Sequence, residues 1–143
     1  MIRLKLEKRR NFMDRTKTFE LKGARWQVSK VSALDGSNLI RKFTSSGILD
    51  PQEFIANMPD EQFKPIQKIL LSSIAELQTI NNLEVPIPVV LPNGTIHGIA
   101  SDDALLLFVL TAVSLEFNLS GFFDEGALKE YRQLMQDFNV PKP

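Results

Sequence analysis

The stretch Ala104–Leu119 constrains this chain most, because it is apolar on nearly every side that a helix would present. Leu105, Leu106, Leu107, Phe108, Val109 and Leu110 follow one another without a break, and only Thr111, Ser114, Glu116 and Asn118 interrupt the run. A helix of this kind sits in a core or lends a face to a partner. It is shorter than the roughly 20 apolar residues that span a bilayer, so a buried helix is expected and a membrane is not. Ser101, Asp102 and Asp103 precede it as a cap, with negative charge where it complements the helix dipole.

Other amphipathic elements must cover such a helix. Phe19 and Leu21 alternate with polar residues, Gly23 interrupts, and Trp26 and Val28 alternate again, which predicts a β-hairpin over Thr18–Val31 turning near Lys22 to Arg25. Ser32 followed by Asp35 opens a helix carrying Leu34, Leu39, Ile40 and Phe43 that stops at Gly47. Asp50-Pro51-Gln52-Glu53 starts a short helix that turns Phe54 and Ile55 inward. Pro59 and Asp60 open a longer one, with Phe63, Ile66, Ile69, Leu70, Ile74, Leu77 and Ile80 at three-and-four spacing, ending near Asn81 and Asn82. Pro65 should bend that helix or mark its true start, since proline has no amide donor.

Pro86 and Pro88 then punctuate an extended run, and Pro92-Asn93-Gly94 reads as the turn of a second hairpin whose strand must lie at a sheet edge. Beyond the apolar helix, Asp124 caps a last amphipathic helix with Leu128, Tyr131, Leu134, Met135 and Phe138 on one stripe. The predicted fold is therefore mainly α within the α+β class. A single domain over residues 17–143 would hold about five helices with one or two small antiparallel β-hairpins packed against them. The 143 residues, 43% of them hydrophobic, are enough to bury one core.

Charge is unevenly placed although the net is zero. Residues 1–30 hold ten basic side chains against Glu7, Asp14 and Glu20, a surplus of seven that an equal acidic surplus in the rest cancels. Residues 1–16 read as a basic arm, a solvated tail by default, though such a dipolar layout also suits head-to-tail association of copies. Met13 opens a sensible amino terminus, so residues 1–12 are either an over-extended start or a mobile arm. They lack the apolar run of a secretion signal. The absence of cysteine excludes disulfides, thiolate chemistry and sulfur-based zinc sites, and fits a reducing cytoplasm.

Residue by residue, the chain offers little bond-making chemistry. His97 is the sole histidine, and the nearest carboxylates in sequence, Asp102 and Asp103, are accounted for by capping, so it reads as a surface residue of the hairpin. No serine lies in a nucleophile elbow, no glycine-rich loop follows a strand, and no catalytic residue, metal ligand or cofactor is expected. Nucleic-acid binding would rest on the basic first thirty residues and Trp26, but Phe19 and Trp26 occupy the strand face that a hairpin buries.

Together these residues resemble the phage tail assembly chaperones of long-tailed bacteriophages and prophages. Phe19-Glu-Leu-Lys-Gly followed by Trp26-Gln-Val-Ser-Lys-Val-Ser-Ala-Leu-Asp-Gly-Ser-Asn-Leu-Ile-Arg-Lys-Phe43 is similar to the amino-terminal half of that family. The proline-rich ribbon, the acidic cap, the aliphatic helix and the ending Phe117-Asn118-Leu-Ser-Gly-Phe122-Phe123 are similar to its second half. The resemblance covers roughly residues 17–125. It implies a non-enzymatic protein of the host bacterial cytoplasm, absent from the mature virion, that coats the tape measure protein and brings tail tube subunits to it. It also leaves homo-oligomers open. The implied partner surface is the exposed side of the apolar helix with the residues beyond it: Leu106, Val109, Val113, Phe117, Phe122 and Phe123. Ordinary core packing is the competing role for the three phenylalanines. A stable tail terminator or connector is the runner-up function, and a small nucleic-acid-binding regulator the third.

Overall fold

A computed structural model describes residues 15–98 and 102–120. Strands β1 (Thr16–Leu21) and β2 (Ala24–Ser29) pair antiparallel, with Phe19 opposite Trp26 and Lys17 opposite Val28. Lys22 and Gly23 join them, both at positive φ (52° and 74°). Two left-handed central residues are the signature of a turn whose twist matches that of the strands it connects. The alternation turns Trp26 and Val28 inward, at 1% and 0% exposure.

Local capping chemistry then sets two helices, and a third starts after Pro59 without a side-chain cap. In α1 (Ala33–Ser46) the Ser32 hydroxyl accepts from the Asp35 amide at 3.2 Å, and Gly47 at φ 75° ends the helix. Gly47 needs its conformation and not its small size, because a Cβ there would meet nothing within 4 Å. Gly47→Ala is thus expected to cost about 1 kcal/mol through backbone strain alone, read as a shift in urea midpoint with unchanged slope. In α2 (Pro51–Ala56) the Asp50 carboxylate accepts from the Gln52 amide at 3.1 Å, and Phe54 meets Phe43 edge-on at 5.3 Å between ring centres. Helix α3 (Asp60–Leu71) runs through Pro65 and carries Asp60 and Glu61 in its first turn.

Here the structure corrects the sequence reading. Helix α3 stops at Leu71, and Ile74–Ile80 is strand β3, antiparallel to β2 with Ile74 opposite Val28 and Glu76 opposite Trp26. Ser72 and Ser73 are the breakpoint: the Ser73 hydroxyl donates to the Leu70 carbonyl at 2.7 Å, satisfying an acceptor the ending helix leaves open. Asn81 and Asn82, at φ 52° and 64°, form a two-residue turn into β4 (Leu83–Pro88). Asparagine is among the few residues that enter this left-handed region at low cost.

The four strands make one antiparallel sheet in the order β1-β2-β3-β4. Pro86 and Pro88 lie on the edge strand β4, where a missing donor breaks no ladder. The Pro92-Asn93-Gly94 turn does form. It closes only a single bridge, Val90 to Ile96, and the main partner of β4 is β3.

Helix α4 (Ala104–Leu119) is the element both halves share. On the sheet side Leu106 and Leu110 join Trp26, Val28, Leu71, Ile74 and Val89. On the helical side Ala112, Leu115 and Leu119 join Leu39, Phe43, Phe54, Ile55, Ile66 and Leu70. Its buried polar atoms are satisfied: the Ser114 hydroxyl donates to the Leu70 carbonyl at 2.8 Å, and that of Thr111 to the Leu107 carbonyl at 2.7 Å. A helix enclosed by a sheet and three helices has to be apolar nearly all round.

The fold is α+β, with four helices and a four-stranded antiparallel sheet among the described residues. The expectation of a mainly α fold with five helices and small hairpins is overturned, chiefly because the last third of one predicted helix joins the sheet. The expected fifth helix, from Asp124, and the basic arm up to residue 14 lie outside the described residues.

Candidate functional site

The faces of α4 differ sharply in how they are used. Leu106, expected on the partner-binding side, is 2% exposed and belongs to the core, which takes it out of that role. Val113 and Phe117 are half-buried against the same sheet-side core, and Val109 is half-buried. Phe122 and Phe123 lie outside the described residues. The side chains that α4 presents to solvent are instead Leu105, at 66% exposure, and Phe108, at 37%. With Val109 and Glu116 they occupy one side of the helix, following three-and-four spacing. The sequence reading was one residue out at Leu106 because an uninterrupted apolar run carries no moment to orient it.

Both ends of this helix are anchored. At the start, the Asp103 carboxylate accepts from the Leu106 amide at 3.0 Å and is paired with the Lys22 ammonium from the β1–β2 turn. The Lys22 contact first, and the Leu106 amide second, hold the Asp103 carboxyl below the usual carboxylate range. At the end, the Lys30 ammonium donates to the Phe117 carbonyl and to the Ser120 hydroxyl (3.3 Å) and lies 4.4 Å from the centre of the Phe117 ring. Burial lowers the Lys30 pKa, with Arg15 adding repulsion. The Asn118 carboxamide oxygen accepts from the Val31 amide at 2.8 Å. Sheet and helix are thus tied at two points about one helix length apart, and the exposed side of α4 is rigidly held.

The sign of the Asp103 shift gives a pH expectation. A carboxyl whose pKa falls on folding contributes stability that is complete above its ordinary value, 3.8, and is lost as pH falls through the lower folded value. Asp103→Asn retains a capping oxygen and removes the charge. Its Tm deficit against the parent is expected to be constant at neutral pH and to close on acidification below that ordinary value. A deficit that persists unchanged at the acid end would refute the pairing.

His97 is not the surface residue the sequence suggested. Its side chain is 24% exposed, and its Nε2 lies 3.6 Å from Glu76 Oε1 and is buried without a hydrogen-bond partner. The Val90–Ile96 bridge and the bond from the His97 amide to the Val89 carbonyl (2.8 Å) hold it there. Only the β3 register brings Glu76, 21 positions away in sequence, to the same side of the sheet as Trp26. The pair supplies a base and a carboxylate, whereas nucleophilic catalysis also needs a nucleophile within hydrogen-bond reach. The hydroxyls of Ser73, partly buried, and Ser114, buried, lie 2.7 Å apart, both within hydrogen-bond distance of the Leu70 carbonyl. Among the described residues no three His, Cys, Asp or Glu side chains gather as a metal site.

Two open clefts lie among the described residues. One, of about 390 Å³, lies between the β2–α1 connection and the start of β3 and includes Lys30, Asp35 and Ser73. The other, of about 350 Å³, lies between α1 and α2 and includes Arg41, Phe54 and Met58. No described helix is long and apolar enough to cross a membrane. No protein family, curated protein or solved structure matches the chain.

Proposed function

We propose that this chain is a tail assembly chaperone of a long-tailed phage, which covers apolar strips of the tape measure protein before the tail tube encloses them. One observation carries the reading: α4 is clamped at both ends and surrounded on most sides, yet leaves Leu105 and Phe108 in water. Adjacent large apolar side chains on one face of a helix are a place where another polypeptide can bind. An amphipathic helix of the client would lay its apolar stripe along this side, in the helix-in-groove manner. Release during tube assembly requires weak binding at each copy, with many copies acting along one client. The likeness of Phe19–Phe43 and Ala104–Phe123 to the chaperone family supports the same assignment, with the tail tube protein as a second partner.

The test is co-purification with a tape measure protein co-expressed with the chain. The parent chain should retain that client, and Leu105→Ser combined with Phe108→Ser should lose it while keeping its circular dichroism. Unchanged capture by the folded double variant removes the site. Finding the chain in purified, finished particles would favour the stable tail component instead.

A further inference from the structure

We infer that the cleft between α1 and α2 binds a short acidic segment of a partner protein, one that carries an apolar side chain among its carboxylates. The site is separate from the exposed side of α4 and stands without the chaperone reading.

The cleft joins two kinds of surface. Ile48, Phe54 and Met58 line its apolar part, and Arg41 and Lys42 its charged part. Phe54 is buried and meets Phe43 edge-on, so the apolar floor is held in place before anything binds. Arg41 and Ser45, like Lys42 and Ser46, stand four apart on α1 and therefore share the side of the helix that borders the cleft. Leu49, next in the chain to Ile48, adds a side chain that is 84% exposed at the same connection.

Both charged residues that line the cleft are basic. The acids nearest in the chain do not line it: Asp50 caps α2, and Asp60 and Glu61 lie in the first turn of α3. Among the described residues neither cation is in an ion pair. Arg41 gives one N–H to the Asn38 carboxamide oxygen at 3.3 Å, which leaves most of its donors for another acceptor. Neither cation lies in the last turn of α1, where the helix dipole would account for it.

A guanidinium fork and an ammonium beside an apolar floor match a carboxylate that neighbours an apolar side chain. The volume, about 350 Å³, is at the small end of the range of ligand sites, which fits a short segment and excludes a folded domain. The cleft is also open to solvent, so a peptide can pass through it. A nucleic acid would need exposed aromatic faces for its bases, whereas the one aromatic side chain lining the cleft is buried Phe54.

The test titrates the full-length chain into the fluorescein-labelled peptide Asp-Leu-Phe-Glu-Asp and reads anisotropy. Lys-Leu-Phe-Lys-Lys and Asp-Gly-Ser-Glu-Asp are the comparison probes, and only the first peptide should bind saturably. Arg41→Glu with Lys42→Glu should weaken that binding by about tenfold or more, the loss expected when charged hydrogen bonds are removed. Arg15→Glu with Lys17→Glu makes the same change of net charge on β1 and should weaken it far less. Ser45→Trp fills the cleft from an exposed position and keeps both cations, so it should abolish binding while preserving the circular dichroism. Parent affinity in the folded Ser45→Trp variant, equal losses from the two charge reversals, or equal binding of all three peptides would overturn the proposal. So would a single-stranded oligonucleotide that displaces the peptide from the parent but not from the Arg15→Glu, Lys17→Glu chain. If no peptide binds, and sedimentation shows self-association that Arg41→Glu with Lys42→Glu abolishes, the occupant is a second copy and the external partner is refuted.

Discussion

Leu110→Ala is expected to remove about 2–5 kcal/mol of stability, the cost of truncating a fully buried leucine whose surroundings cannot collapse into the space. Leu110 has no exposed surface and lies where α4 crosses the sheet, among Trp26, Val28, Leu71 and Ile74. Trp26 donates its indole N–H to the Leu21 carbonyl at 3.0 Å, and Val28 and Ile74 face each other in the β2–β3 ladder, which limits how far they can move to fill the cavity. Leu105→Ala, five residues earlier on the same helix, should stay within about 0.5 kcal/mol of the parent, as surface substitutions do. Alanine suits helices well, so propensity works against neither variant. Urea unfolding of the two proteins measures the contrast. Equal losses at the two positions would mean that α4 is rotated about its axis from the orientation described, and the client surface built on Leu105 and Phe108 would go with it.

The second large effect is expected at the β3–β4 turn. Asn81 and Asn82 both adopt left-handed conformations, which cost an ordinary L-residue roughly 1–2 kcal/mol each. Asn81→Ala with Asn82→Ala should therefore destabilise the protein by about 2–4 kcal/mol on that figure. The direction is diagnostic. Were residues 74–82 the end of a long helix, alanine would replace a poorer helix former, and the double variant would be more stable than the parent. Asn82→Gly supplies the control, because glycine enters this region freely and completes the Asn-Gly pair that such turns favour. It should leave stability unchanged or raise it slightly. A stabilised double-alanine variant would remove β3 from the sheet, and with it the contact between His97 and Glu76.

The confusion between helix and strand over Ile74–Ile80 has a definite physical origin. Ile66, Ile69, Leu70, Ile74, Leu77 and Ile80 satisfy helical spacing without a gap. In the sheet, Ile74 and Ile80 share a side with Glu76 and Gln78, whose polar side chains spoil the strand's own alternation. The retrievable signals were the serine pair at 72 and 73, which ends the helix, and the asparagine pair at 81 and 82. Two asparagines between the apolar residues Ile80 and Leu83 form a hairpin turn more readily than a helix end. Glu76 was invisible as a partner for His97 for the same reason, since a helical reading puts it on another element altogether.

What the sequence determined alone was the set of features closed by atoms a few residues apart. The β1–β2 hairpin, the Ser32 and Asp50 caps, the Gly47 stop and the Pro92–Gly94 turn each satisfy their own backbone groups locally, so composition at those positions is enough to specify them. The tertiary structure alone decided two things. It decided that Ile74–Ile80 is a strand, because the β2 edge that accepts it lies nearly fifty residues away and two conformations fitted the local pattern. It also decided which side of α4 faces water, because a helix apolar all round has no orientation until a sheet on one side and three helices on the other leave Leu105 and Phe108 uncovered.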